Sequence, residues 1–417
     1  MVAAYNFHPV GQGLFGSGSL WTDFRGRPFR WVYDCGTSSK QNFLRTALNS
    51  FQKEVGHSRL NLVVISHFDS DHISGIVELL NRIGTDILML PWAALWHRLV
   101  IAYQQNLQPS DPIFQFYVDP IKYLNDEAGD GFERIVFVPF SDGDGPPDSA
   151  GTPSLDFDPD VLGSLEIEED EDFKDLQITK QEGEIPDWLF VDEWHEYVSL
   201  HRRRSVSMMR QGSVAQIVRF WEFVTYNDPA TQPIHDPNFV SAVNARRDRL
   251  LRTSDADRQA ALDDLKHYYL GTFPQSKKND LSLFLYGGPI GGWHVRRFGT
   301  SQWVFNEQSS ALKGSILYTG DGTLASQQKW STLANYVSTK RAKQPSVFQV
   351  PHHGSRHSWF DGLADEVEPD TTVFCSDPSH LGYQHPHSEV KQDFQRYRCH
   401  QVDETTHFHM IVEFDRN

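Results

Sequence analysis

The sequence predicts an α/β protein built from layered sheets and helices. Three observations carry that expectation. Short apolar runs such as Leu62-Val63-Val64-Ile65 and Ile87-Leu88-Met89-Leu90 have strand length rather than helix length. Beside them lie stretches with helical spacing of apolar residues, the best over residues 40–54. Strand-like runs return between Leu281 and Phe414, so strand patterns occupy both ends of the chain.

In chain order, Arg30-Trp31-Val32-Tyr33 reads as a short strand ending in Asp34-Cys35-Gly36. Phe43, Leu44, Ala47, Leu48 and Phe51 fall on one face of a helix over 40–54. A strand follows over Leu60 to Ser66, then a helix over Ser74 to Ile83. The strand Ile87 to Leu90 is closed by Pro91, which has no N–H to continue a ladder. Residues 141–185 are acidic and rich in turn formers, from Ser141-Asp142-Gly143-Asp144-Gly145-Pro146-Pro147-Asp148 to Glu168-Glu169-Asp170-Glu171-Asp172, and a flexible linker is expected. Residues 186–272 are expected to be a mainly helical insertion, with Ala260 to Leu265 the clearest stretch. Strand patterns then occupy Leu281–Tyr286, Ser315–Tyr318, Ser346–Val350, Thr371–Phe374 and Phe408–Phe414. The expected organisation is therefore a first half over 1–140, the linker, the insertion, and a second half over 273–417.

The chain has 417 residues, enough for one large domain with an insertion or for two domains. A formal charge of −17 argues against a general polyanion-binding surface, although bound cations and local basic strips can still dominate the field at one site. Cys35, Cys375 and Cys399 are too far apart in sequence for a Cys-x-x-Cys zinc pair, and no disulfide frame is expected. The start, Met1-Val2-Ala3-Ala4-Tyr5-Asn6, lacks signal-peptide character, and no apolar run approaches the ~20 residues that span a bilayer. A cytoplasmic protein without membrane contact is expected.

His67-Phe68-Asp69-Ser70-Asp71-His72 is the strongest chemical signal. It places two imidazoles and two carboxylates in one short turn after a strand. Such carboxylates repel one another, and divalent cations relieve the repulsion. Further on, Tyr318-Thr319-Gly320-Asp321, Val350-Pro351-His352-His353 and Gly382-Tyr383-Gln384-His385-Pro386-His387 also set metal-capable groups at or near expected strand ends. In α/β architectures ligands gather at the carboxyl ends of strands, so these groups are expected to converge. His8, His97, His235, His400, His407 and His409 read as ordinary polar histidines.

Together these motifs resemble the metallo-β-lactamase fold, and within it the ComEC-type hydrolase branch. The resemblance rests on Val10-Gly11-Gln12-Gly13, Asp34-Cys35-Gly36, His67 to Gly75, Asn279 to Phe284, Thr319 to Asp321, His352 to Ser355 and Gly382 to His387, in the family order. It covers about residues 1–95 and 275–417. The branch's transmembrane channel has no counterpart here, nor has the family a counterpart to the insertion. The resemblance implies an αββα sandwich with a metal site along one edge and a phosphodiester-hydrolysing activity. By analogy, Asp321 would bridge two divalent ions, Asp71 and His72 would serve one, and His67 and Asp69 the other. His352 or His353, with His385, would complete the shells. Asp34 is expected as a hydrogen-bond acceptor for a ligand histidine. Asp71, His353 and His387 are the expected catalytic groups, His353 or His387 protonating the leaving oxygen.

Asp69 stands where many relatives carry His, and the extra oxygen hardens the site toward Mn²⁺ or Mg²⁺, with Zn²⁺ close behind. Two ions would sit ~3.5–4 Å apart and activate a water for in-line attack on phosphorus. Ser355 and the strip Arg202-Arg203-Arg204, with Arg246, Arg247 and Arg249, are candidates for contact with an anionic substrate; a solvated, charged helix face is the plainer reading of the arginines. Nucleic acid or another phosphodiester is the expected substrate, and the insertion could also receive a protein partner. Hydrolysis of a small ester, lactone or amide is the main alternative, and a metal-stabilised binding module the other. Small-substrate relatives carry a further Gly-His ligand between the two halves; no Gly-His occurs between His72 and Asp321, which favours the phosphodiester reading.

Overall fold

The computed structural model describes residues 1–21, 27–93, 113–118, 120–148, 166–167, 205–217, 220–228, 282–291, 293–300, 304–305, 313–380 and 382–416, with isolated positions elsewhere. The first half contributes β1 (Val2–Phe7), β2 (Gly16–Trp21), β3 (Phe29–Tyr33), β4 (Leu60–Val64), β5 (Thr85–Pro91) and β6 (Phe132–Val138). The middle contributes β7 (Glu166–Ile167), β8 (Ser205–Met208), β9 (Ala215–Ile217) and β10 (Trp221–Asn227). The last part contributes β11 (Leu283–Pro289), β12 (Trp293–Thr300), β13 (Val304–Phe305), β14 (Ile316–Tyr318), β15 (Val347–Gln349), β16 (Thr371–Cys375), β17 (Arg398–Val402) and β18 (Phe408–Arg416).

These strands form two mixed sheets. One runs β13-β12-β18-β1-β2-β3-β4-β5-β6-β8, and the other β17-β16-β15-β14-β11-β10-β9-β7. In each, a parallel half carries the strand ends of interest: β3 to β6 with β8, and β14 to β17. Parallel neighbours point their carboxyl ends the same way, so consecutive loops collect on one edge.

Side-chain alternation builds the layers. On β4, Leu62 and Val64 face the inter-sheet core, whereas Val63 and the following Ile65 face the helices. On β14, Ile316 and Tyr318 face the same inter-sheet core and Leu317 the opposite side. Helix α1 (Gln41–Val55) buries Leu44, Ala47, Leu48, Phe51 and Val55 on the first sheet, the i, i+3, i+4, i+7 stripe of an amphipathic helix. On the outer face of the second sheet, the helices Gln327–Val337, Leu363–Val367 and Ser388–Phe394 bury Trp330, Leu333, Leu363 and Phe394. The order is thus helix, sheet, sheet, helix. Large rings close the middle: Trp31 lies 5.3 Å edge-on to Phe223, and Tyr33 stacks on Tyr318 at 4.5 Å.

Residues 205–227 correct one expectation. They were expected within a mainly helical insertion, but β8 extends the first sheet beside β6, and β9 and β10 extend the second beside β11. All seven residues of β10 are buried, so Trp221-Glu222-Phe223-Val224-Thr225-Tyr226-Asn227 shows no polar face to betray a strand. Glu222 is tolerated there because Arg341 Nε approaches its Oε1 at 2.8 Å and Arg341 Nη2 its Oε2 at 3.0 Å. The helix expected over Ser74–Ile83 spans Ile76–Arg82, and a separate single turn of helix at Ser70–Ile73 precedes it within the metal-capable cluster. Most of the expected acidic linker, and Arg202, Arg203, Arg204, Arg246, Arg247 and Arg249, lie outside the described residues. Among the described residues no helix is long and apolar enough to cross a membrane.

Candidate metal centre

The His67–His72 turn follows β4, and the backbone around it is packed to close tolerance. Leu14 N–H donates to Asp71 O at 3.0 Å and Cys35 N–H to His72 O at 2.9 Å. A Cβ on Gly36 would meet the backbone N and C of His72 at 2.5 Å, and one on Gly13 would meet Asp71 O at 2.8 Å. The N-terminal Gly-Gln-Gly and the Asp-Cys-Gly segments therefore act as a backing for the turn, and glycine is required where they touch it. Tyr117 OH adds a bond to Phe68 O from the helix side.

The second half supplies its groups from the ends of β14 and β15. Thr319 N–H and Gly320 N–H both donate to Gln349 Oε1 at 2.8 Å, which fixes the turn carrying Asp321. His352 N–H donates to Gly320 O at 2.9 Å and ties the next turn to it. His352 (φ 47°) and His353 (φ 58°) are both left-handed, a conformation that costs an L-residue on the order of 1–2 kcal/mol. Packing imposes that strain, and the result aims both imidazoles at Asp321.

Asp71, His72, Asp321 and His353 bring ligand-type atoms within 4.8 Å of one another. Asp321 sits at the centre. Its Oδ1 is 3.1 Å from His72 Nε2 and 3.3 Å from His353 Nε2. Its Oδ2 is 3.5 Å from His352 Nε2 and 3.9 Å from His67 Nε2. Asp71 Oδ2 is 3.3 Å from His353 Nε2, and Asp69 Oδ2 is 3.9 Å from His67 Nε2. So both histidines of the 352/353 pair reach the cluster, one on each oxygen of Asp321. His385 lies one ring further out, with its centroid 5.7 Å from that of His352 and 6.2 Å from that of His353. His387 is further still, 5.0 Å ring to ring from His385, and its Nδ1 accepts from Arg356 N–H at 3.2 Å. Ser355, expected near substrate, is instead buried, and its hydroxyl accepts from His357 N–H to cap the next turn.

The outer nitrogens are held. His72 Nδ1 meets Asp34 Oδ2 at 2.8 Å, while Ser66 donates to both Asp34 oxygens from its N–H (2.7 Å) and hydroxyl (2.6 Å). His353 Nδ1 meets Cys375 O at 2.5 Å and His352 Nδ1 meets Ser358 Oγ at 2.9 Å. A carbonyl only accepts, so His353 Nδ1 carries the proton and its Nε2 offers a lone pair inward. Asp34 imposes the same tautomer on His72.

The inward atoms pass the test for a cation. His67 Nε2, His72 Nε2, His353 Nε2 and Asp321 Oδ1 are buried and make no hydrogen bond. Three such imidazole nitrogens around one carboxylate make a costly arrangement unless something positive joins them. The electrostatics agree. Burial opposes charge everywhere here, yet the imidazoles of His353, His352 and His72 hold the Asp321 carboxyl well below its ordinary range. In return, against the same burial, Asp321 and Asp34 raise the pKa of His72 well above normal, and Asp321 and Asp71 raise that of His353. Burial and the neighbouring His72 lower His67 to about 3. The carboxylates thus draw protons onto imidazoles that would otherwise be ligands, and a divalent cation supplies that positive charge instead.

Sequence reasoning missed Ser66, Gln349 and the Cys375 carbonyl. Gln349 left a trace, a lone amide inside the apolar run Val347-Phe348-Gln349-Val350. Ser66 and Cys375 left none, because one is an ordinary polar residue and the other acts through its backbone. The family model of the metallo-beta-lactamase superfamily matches residues 30–162, and members of that superfamily are mostly hydrolases. No curated protein matches the sequence.

Proposed function

We propose that this chain is a metal-dependent phosphodiesterase acting on nucleic acid or a related phosphodiester. The observation that carries the reading is the division of Asp321: His72 and His353 on one oxygen, His67 and His352 on the other. Asp71, His72, Asp321 and His353 would hold one divalent cation, and the donors on the other oxygen would suit a second. Asp71 joins the first set, while Asp69 and His385 stand beside the second. The lack of a Gly-His pair between His72 and Asp321 favours a phosphodiester over a small ester or lactone. When bound, such cations lower the pKa of water and neutralise charge on a phosphoryl group.

The protein's own groups do the rest. Asp34 and the Cys375 carbonyl keep the Nε2 lone pairs of His72 and His353 pointed inward, so no reorientation is needed as charge develops. His353 is committed to the two carboxylates, which leaves His387 for the leaving group. Because its Nδ1 accepts from the Arg356 N–H, its N–H sits on Nε2, from which it would donate a hydrogen bond to a leaving oxygen and stabilise the charge developing there. His387→Ala should lower kcat on an oligonucleotide by about 100-fold while metal content holds.

The deciding experiment incubates metal-loaded protein with single-stranded DNA, duplex DNA, RNA, a chromogenic phosphodiester, and a small ester and lactone. Cleavage of a phosphodiester that stops with chelator and is lost in Asp321→Asn is expected. Turnover of the ester or lactone with every phosphodiester left intact would overturn the reading.

A further inference from the structure

We propose that Tyr383 is a stacking platform for a nucleobase beside the metal centre, so that the substrate is a phosphodiester with an unpaired base next to the cleaved bond. The inference rests on the phosphodiesterase reading and narrows it. Tyr383 is 52% exposed, and only it and Ile411 are exposed large hydrophobic side chains among the described residues. An aromatic side chain left open beside a metal centre can meet the substrate that binds there, and its ring suits a flat π-system.

Its position gives the partner's chemistry. The Tyr383 ring lies 5.9 Å from that of His385, which lies 6.2 Å from that of His353. Tyr383 therefore stands two ring-spacings out from the carboxylate cluster, on the side from which a nucleotide with its phosphate at that cluster would present its base. It is also braced. His380 stacks on it at 4.9 Å with a 25° tilt. Gln384 N–H donates to His380 O at 3.1 Å, Ser379 N–H donates to Asp377 Oδ1 at 2.8 Å, and Asp377 N–H donates to Gln12 Oε1 at 3.3 Å. Gln12 belongs to the same N-terminal segment that backs the metal turn. A ring braced by His380, neighboured by His385 and half exposed to solvent presents a preorganised surface, and stacking on it suits any base because every base has a π-face. A paired base is already stacked and withheld, so the platform selects single strands or flexible small phosphodiesters.

The test measures binding rather than turnover. Fluorescence anisotropy would follow a phosphorothioate-linked, labelled oligothymidylate and an abasic strand of the same length, both in Mn²⁺. Wild type should bind the base-bearing strand at least tenfold tighter. Tyr383→Ala should remove that difference and leave the abasic strand unchanged; Tyr383→Phe, which keeps the ring, should retain it. Competition by a cyclic dinucleotide separates a small substrate from a polymer, and either result carries the same dependence on Tyr383. Equal binding of the two strands by wild type, or equal losses on both in Tyr383→Ala, would overturn the platform. Base-dependent binding lost in Tyr383→Ala, with no phosphodiester cleaved by wild type, would overturn the enzymatic reading and leave the platform standing.

Discussion

Replacing Asp321 by Asn keeps the shape of the central side chain and removes the charge that faces all four imidazoles. Wild-type protein is expected to hold close to two divalent ions per chain, and Asp321→Asn fewer than one. Elemental analysis of both, beside the Asp71→Ala, His72→Ala double variant, checks this; equal metal in all three sinks the assignment. Asp34→Asn tests the outer contact. It weakens the acceptor that fixes His72, and metal affinity should fall about 10- to 100-fold with the fold retained. His8 offers a test away from the centre. Its ring packs on Phe15 at 4.2 Å and Phe51 at 5.2 Å, and burial, with His407 and His409 nearby, lowers its pKa to about 3. The unfolded chain therefore binds a proton that the folded one refuses between about pH 6.5 and 3, and stability falls as pH drops through that window. Thermal melts at pH 7 and 5 should show a smaller loss in His8→Gln than in wild type. At this scale the His-x-Asp-x-Asp-His spacing was legible because all its members lie in six consecutive positions. The division of His352 and His353 between two oxygens of Asp321 was not, since it depends on two left-handed φ angles that packing imposes.

Elements were legible where one face is buried and one is wet. Helix α1, expected over 40–54, spans Gln41–Val55. The strand carrying the metal turn and the strands before Asp321 and the His-His pair also lie where their apolar runs indicated. Strands β8 to β10 fall inside the segment expected to be mainly helical, and β10, buried along its whole length, has no polar face to mark it as a strand. The turns between elements make a sharper prediction. Gly36→Ala places a methyl 2.5 Å from the His72 backbone, so the metal turn must shift. It should lose metal and about 1–3 kcal/mol of stability. Gly56→Ala is the comparison: its φ is +69° with nothing within 4 Å, so it should cost about 1 kcal/mol by strain and leave metal content unchanged. Chemical denaturation with metal analysis separates the two.

Across the whole molecule the centre joins the two halves, because His67 to His72 come from the first sheet's loops and Asp321, His352 and His353 from the second's. Cations bound there stabilise the assembled form alone, so chelation should lower the melting temperature, by the equivalent of about 2.7 kcal/mol if the ion is present at 100 times its Kd. Mn²⁺ should restore more activity to stripped protein than Zn²⁺, and Asp69→His should move the preference toward zinc; recovery with Zn²⁺ alone would show that ligand hardness does not decide here. The sequence by itself determined the layered α/β class, the turn bearing four candidate ligands and the later strand ends that would meet it, because strand length, helical period and local spacing are properties of neighbouring residues. Only the tertiary structure decided that β8 to β10 extend the sheets, that Ser66, Gln349 and the Cys375 carbonyl hold the centre, and that Tyr383 stands open at its rim. Those facts depend on contacts between residues tens to hundreds of positions apart, and no local pattern of side chains records which distant backbone group will lie against them.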